Sequence, residues 1–139
     1  MLILIAIVAG VAVALQGQFM GVMTRTAGTA TSVLITYGVG GLLAVVFWLT
    51  RRGSSGSVRE IPGYAWFAGA LGLIIIGGIG FTAPRLGLSR TLVISVAAQL
   101  LAAAVIDHLG LFGAQQRSID TWRTIGLTLT VAGAWLAVK

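Results

Sequence analysis

The chain predicts an all-α integral membrane protein, and three observations carry that reading. Charge is scarce, with nine basic and three acidic residues in 139, whereas about a quarter of a soluble domain is charged. Hydrophobic residues make up 58% and form long uncharged runs between short charged clusters. The runs are continuous rather than alternating, which favours helices over the strands of a membrane barrel. About 20 helical residues cross a hydrocarbon core of about 30 Å. Five runs approach that length, at roughly 2–23, 31–50, 63–83, 90–107 and 122–138. The expectation is a single five-helix membrane domain over 1–139, multi-pass in the cell (inner) membrane. A soluble helical domain with a greasy core is the alternative, and this much charge is too little to cover its surface.

The first run has no basic region before it and is too long for a signal peptide. It is therefore expected to be retained, although Ala12 and Ala14 make an Ala-x-Ala sequence. The second run closes at Trp48 before Arg51 and Arg52. The third opens at Tyr64 and Trp66 and ends at a tight turn, Pro84-Arg85-Leu86-Gly87. The fourth begins at Arg90 and ends at Asp107. The fifth opens at Trp122, has Trp135 near its end, and is short, at about 25 Å of helix. Amphipathic aromatic rings prefer the headgroup level, so these Trp and Tyr residues mark span ends. Of the connections, 25–30 is short, 51–62 is a Gly/Ser-rich linker, and 108–121 joins the last two spans. No internal repeat is evident.

A net charge of +6 suggests nucleic acid in a soluble protein. Here the arginines flank apolar spans and read as topology signals and contacts to the lipid bilayer, with no nucleic-acid partner. Cysteine is absent, and His108 is the lone histidine, so no metal or cofactor is expected. No intramembrane carboxylate pair, Ser/His/Asp set or phosphate-cradling loop points to an enzyme. Five spans put Arg51, Arg52, Arg59, Arg117 and Arg123 on one face and Arg25, Arg85, Arg90 and Lys139 on the other. A Lys/Arg excess sets orientation, and so even a split permits dual topology; the other reading is that the Arg51–Arg52–Arg59 segment alone decides it.

Four stretches taken together resemble a known family: LQGQFMG (15–21), GTATSVLITYGVGGL (28–42), AAQLLAAAVIDHLGLFG (97–113) and TIGLTLTVAGAWL (124–136). In order and spacing they are similar to the YdcZ-like five-helix branch of the drug/metabolite transporter superfamily, over nearly the whole chain. One departure is that Met20 and Gly21 occupy the neighbourhood where that family usually has an Asn. The resemblance implies a transporter subunit for a small molecule. It also implies a half-unit of a ten-helix bundle, completed by a second copy or a homologous partner of inverted topology. A non-transporting assembly subunit or a small channel is the alternative.

Few polar side chains fall inside the spans, and such groups usually face the bundle interior or a wet path. Gln16, on a face with Ala12 and Met20, together with Tyr37, Ser95 and Gln99, is expected to line a substrate cavity. Ser95, Gln99, Ala103 and Asp107 form a stripe with two readings, a cavity wall or interhelical hydrogen bonding. Asp107 is either a coupling carboxylate or a helix-end residue, hydrogen-bonded to His108 or paired with a loop arginine. Arg85 and Arg90 flank the start of the fourth span, where a helix N-terminus attracts anions; headgroup contact is the other reading. Gly126, Thr130 and Gly133 share one face of the last span and offer close approach to a partner helix. Their spacing is similar to the glycine pair in the dimerising last helix of small multidrug resistance proteins. Packing within the protomer is the alternative.

Overall fold

A computed structural model of the chain describes residues 1–51 and 60–139. Arg52, Ser55, Arg59 and most of the 51–62 linker lie outside the described residues. Those described are helical, without strands: α1 (Leu2–Ala27), α2 (Thr29–Thr50), α3 (Ala68–Leu86, preceded by a 3-10 turn at Gly63–Phe67), α4 (Leu88–Leu109) and α5 (Thr121–Val138). Among the described residues four stretches are long and apolar enough to cross a membrane: Leu2–Ala27, Thr29–Thr50, Gly63–Leu86 and Leu88–Leu109. The 18 residues of α5 span about 27 Å. Arg123 in its first turn and four threonines along it leave it outside that group.

Two helix ends correct the expectation. Residues 25–30 and 84–87 are not loops; α1 continues through Arg25 to Ala27, and α3 continues through Pro84 and Arg85 to Leu86. Each connection shrinks to one glycine. Gly28 has φ 83°, ψ 161° and Gly87 φ 89°, ψ 146°, a region that is essentially glycine's alone. The helices persist because their end residues keep the backbone paired. The Thr26 hydroxyl donates to the Val22 carbonyl at 3.1 Å. Pro84, lacking an N–H, removes a single bond in the final turn, and its ring packs 3.8 Å from where a β-carbon on Gly21 would stand.

The two corners also show a short repeat that the sequence did not make evident. Four residues after each glycine stands a buried hydroxyl residue, Ser32 or Thr91. The N–H of each donates to the glycine carbonyl at 3.1 Å. Four residues further, the hydroxyls of Thr36 and Ser95 donate to the carbonyls of Ser32 and Thr91, both at 2.8 Å. The sequence hides the match because Ser and Thr exchange places between the two copies. Gly28→Ala is expected to cost about 1–3 kcal/mol of backbone strain, although its β-carbon meets nothing within 4 Å. Gly38→Ala, equally unobstructed but inside α2, should be neutral or stabilising. Unfolding in detergent of rising SDS content separates the two, and equal effects would remove the strain argument.

The chain divides into two compact units, Met1–Arg85 and Leu86–Lys139. In the first, small residues let three helices approach closely, as expected where lipid supplies no hydrophobic drive. The Ser32 hydroxyl, fully buried, donates to the Met20 carbonyl at 3.4 Å, tying α2 to α1. Glycines of α3 receive the others: Gly80 faces Met20 and Thr24, Gly77 faces Val33, and Gly72 faces the Tyr37 hydroxyl. Thr24 Oγ1 is buried without a partner. Most other helical hydroxyls donate four residues back, but the carbonyl four back from Thr24 belongs to Met20 and already accepts from Ser32. In the second unit α5 packs on α4.

Three basic residues at helix C-termini stack on an aromatic ring one turn earlier: Arg51 on Phe47, Arg85 on Phe81 and Lys139 on Trp135. A cation there offsets the partial negative charge of the last carbonyls, while the ring holds it at headgroup depth.

Candidate functional site

In the first unit an open groove of about 470 Å³ runs between α1 and α2. Ala12, Gln16 and Met20 line it from α1, and Thr36, Val39 and Leu43 are among its α2 wall. Gln16 is thus an exposed residue on a wall that is apolar apart from it and Thr36. Tyr37, expected beside it, is not part of that lining. The tyrosine is half-buried and its hydroxyl meets Gly72 of α3. One residue along α2 turns a side chain by about 100°, so the groove takes Thr36 and α3 takes Tyr37. Thr36 is the residue that the sequence reading undervalued. The signal was its helical spacing from Ser32, since its hydroxyl hydrogen is donated to the Ser32 carbonyl and the oxygen is left with acceptor capacity.

In the second unit Ser95 is half-buried, with its hydroxyl donating to the Thr91 carbonyl. Gln99 is exposed on α4. Thr91 is 4% exposed and its Oγ1 has no hydrogen-bond partner.

Polar contacts concentrate where α4 meets α5. Asp107 ends α4 and pairs with Arg123 in the first turn of α5, Nη2 to Oδ2 at 2.5 Å, each side chain about one-third exposed. The intervening segment is tied to the same place. Arg117 N–H donates to the Asp107 carbonyl at 2.9 Å, the Gln116 amide donates to the His108 carbonyl at 3.3 Å, and Ile119 N–H donates to His108 Nδ1 at 3.3 Å. Asp120 caps α5 by accepting from Arg123 N–H at 2.7 Å. Gly110, at φ 62°, closes α4 in the left-handed conformation that such an end calls for. Asp107 therefore has a helical partner, whereas the sequence offered His108 or a loop arginine. Hydropathy registers Arg123 only as a charge at the start of the fifth run, so the pairing was not visible.

Arg85 is engaged with its own helix. Its guanidinium donates to the Phe81 carbonyl and lies 3.7 Å from the centre of the Phe81 ring. Arg90 is exposed in the first turn of α4. Gly126 and Thr130 line a second groove of about 310 Å³ against Leu100, Ala103 and Ala104 of α4, with Arg123 also in its lining. A β-carbon at Gly126 or Gly133 would meet nothing within 4 Å. Among the described residues no group of three His, Cys, Asp or Glu side chains could hold a metal.

Residues 1–136 match the model of a family described as "Putative inner membrane exporter, YdcZ". No curated protein and no solved structure matches the chain.

Proposed function

The chain belongs to the YdcZ family, a family of inner-membrane transporters and not of enzymes, and from that premise we propose that it is one subunit of an alternating-access transporter for a small metabolite or drug-like compound. The observation that carries the assembly is exposure. The apolar windows of its four longest spans are between 0% and 11% buried, so the protomer leaves most of its apolar surface for lipid and for another chain. α5 serves as a fifth span. Fusing two copies of an odd-numbered unit inverts the second, and for separate copies the near-even charge split permits both orientations in one membrane. The working unit is thus an antiparallel pair, a homodimer or a heterodimer with a homologous subunit, that together supplies ten helices around a central path.

Gln16, with Thr36 beside it, is the polar pair that the first unit offers a substrate, and Ser95 and Gln99 are the polar pair that the second unit offers. Tyr37 contributes by fixing α2 against Gly72 of α3. Asp107 and the arginines at 85 and 90 lie at the ends of the spans, and the glycine face of α5 (Gly126, Thr130, Gly133) receives the partner.

Flux into liposomes tests the reading. A Gln16→Leu/Gln99→Leu double variant should insert and assemble as the parent does, yet lose at least about tenfold in uptake rate, since an unreplaced polar contact is worth about 1.5 kcal/mol. Unchanged flux of every solute taken up by the parent would remove the cavity assignment. No flux from the parent across a broad metabolite panel would favour an assembly subunit.

A further inference from the structure

The Asp107–Arg123 pair stands where helix electrostatics oppose it. Asp107 is in the last turn of α4, where the carbonyl ends are partially negative. Arg123 is in the first turn of α5, where the N–H ends are partially positive. Each charge offsets what makes the other unfavourable, and a pair placed only to close the connection would be better with the signs reversed. The arginine is also placed to do more than close it. Its side chain lines the 310 Å³ groove between α4 and α5, whose other walls are Leu100, Ala103, Ala104, Gly126, Leu127 and Thr130. That volume is at the low end for small-molecule pockets, about 300–1,000 Å³. The groove is apolar along its length, with one guanidinium and one hydroxyl. Thr130 gives its hydrogen to the Gly126 carbonyl at 2.9 Å, so the hydroxyl offers a ligand only acceptor capacity. The guanidinium holds two partners, the Asp107 carboxylate through Nη2 and the Arg117 carbonyl through Nη1 at 3.3 Å.

We infer that this groove binds a small amphiphilic carboxylate, with its apolar body between α4 and α5 and its carboxylate taking the place of Asp107 on Arg123. Asp107 is the occupant of the empty site. Exchange of one carboxylate for another on the same guanidinium keeps a charge-assisted hydrogen bond throughout, so the site opens without stranding Arg123. Asp107, about one-third exposed, moves into water when displaced. Gly126 and Thr130 of the α5 glycine face are themselves walls of the groove, so a second copy seated on that face would roof the bound molecule. The assignment rests on the transporter reading for its purpose but not for its test, which measures binding rather than flux.

The probe is 4-phenylbutyrate, with 4-phenylbutanamide as its uncharged counterpart, titrated calorimetrically into purified protein in a zwitterionic detergent. The carboxylate should bind measurably and the amide at least about tenfold more weakly. The two partners of the ion pair should respond in opposite directions. Arg123→Gln should weaken carboxylate binding by about tenfold or more, and Asp107→Asn should tighten it by a similar factor, the size expected of one charge-assisted hydrogen bond. Arg123→Lys should recover part of the loss, which guards against a folding defect. A purely structural ion pair predicts that Asp107→Asn and Arg123→Gln both weaken binding, and that result would overturn the proposal. Equal affinity for the amide, or no binding by the parent at millimolar probe, would overturn it as well. Displacement of the probe by phosphatidylglycerol in the parent but not in Arg123→Gln would assign the site to a lipid headgroup and overturn the solute assignment.

Discussion

Gly80→Leu is expected to destabilise the Met1–Arg85 unit strongly. Even a β-carbon there would stand 3.1 Å from Met20 Cε and 3.3 Å from Thr24 Oγ1. Met20 is 1% exposed, so its chain has no room to swing aside. Leucine adds a branched side chain to that contact, and overpacking of this kind costs about 1–3 kcal/mol. The displaced α1 would also lose the hydrogen bond from Ser32 to the Met20 carbonyl. SDS-driven unfolding followed by circular dichroism measures the loss. Met20→Ala should itself destabilise by vacating core volume, yet Gly80→Leu introduced into Met20→Ala should cost less than half of what it costs alone. Strict additivity would mean that the two positions do not touch, and α3 would not lie on α1 as described.

Gly133→Leu should act on association and leave folding alone. The β-carbon position is open within the protomer, so the leucine has no internal clash to pay for. On the proposed interface it would hold the partner helix away, and loss of close approach there should weaken the dimer by about tenfold or more. Dilution-dependent energy transfer between labelled copies in liposomes reports the change, while the SDS unfolding midpoint of the isolated protomer should stay where it was. Arg59→Gln, in the linker, should alter neither. The companion measurement is orientation. Ser55→Cys should react with an impermeant thiol reagent from both faces in a population of intact vesicles. Reaction from one face in every copy would rule out dual topology and leave a heterodimer with a partner of opposite charge bias.

Hydropathy made the helices legible because a long apolar run has few other stable forms in lipid. Helix ends were harder to read. Arg25 and Arg85 look like loop residues by charge, yet each remains helical where the chain reaches the headgroups. Pro84 looks like a turn, yet costs a single bond so close to the end of α3. The candidate site was legible in kind and less so in arrangement. A rare amide such as Gln16 announces itself in a greasy helix. Whether Thr36 or Tyr37 shares its groove depends on a rotation of about 100° that helix crossing decides. Asp107 was visible as a rare acid, but its partner is sixteen residues away, across a connection whose shape rests on Gly110 and on contacts to the His108 ring.

A corner made of one glycine also fixes the reading frame of the surface. Every added or deleted residue at Gly28 would turn all of α2 by about 100° and shift it by about 1.5 Å along its axis. Ser32 would then leave the Met20 carbonyl and Thr36 would leave the groove, while Tyr37 would be carried off Gly72. Length variation among homologues should therefore be absent from 25–32 and should collect in the 51–62 linker. At this corner glycine should be replaced, if at all, only together with a compensating change in the length of α1 or α2.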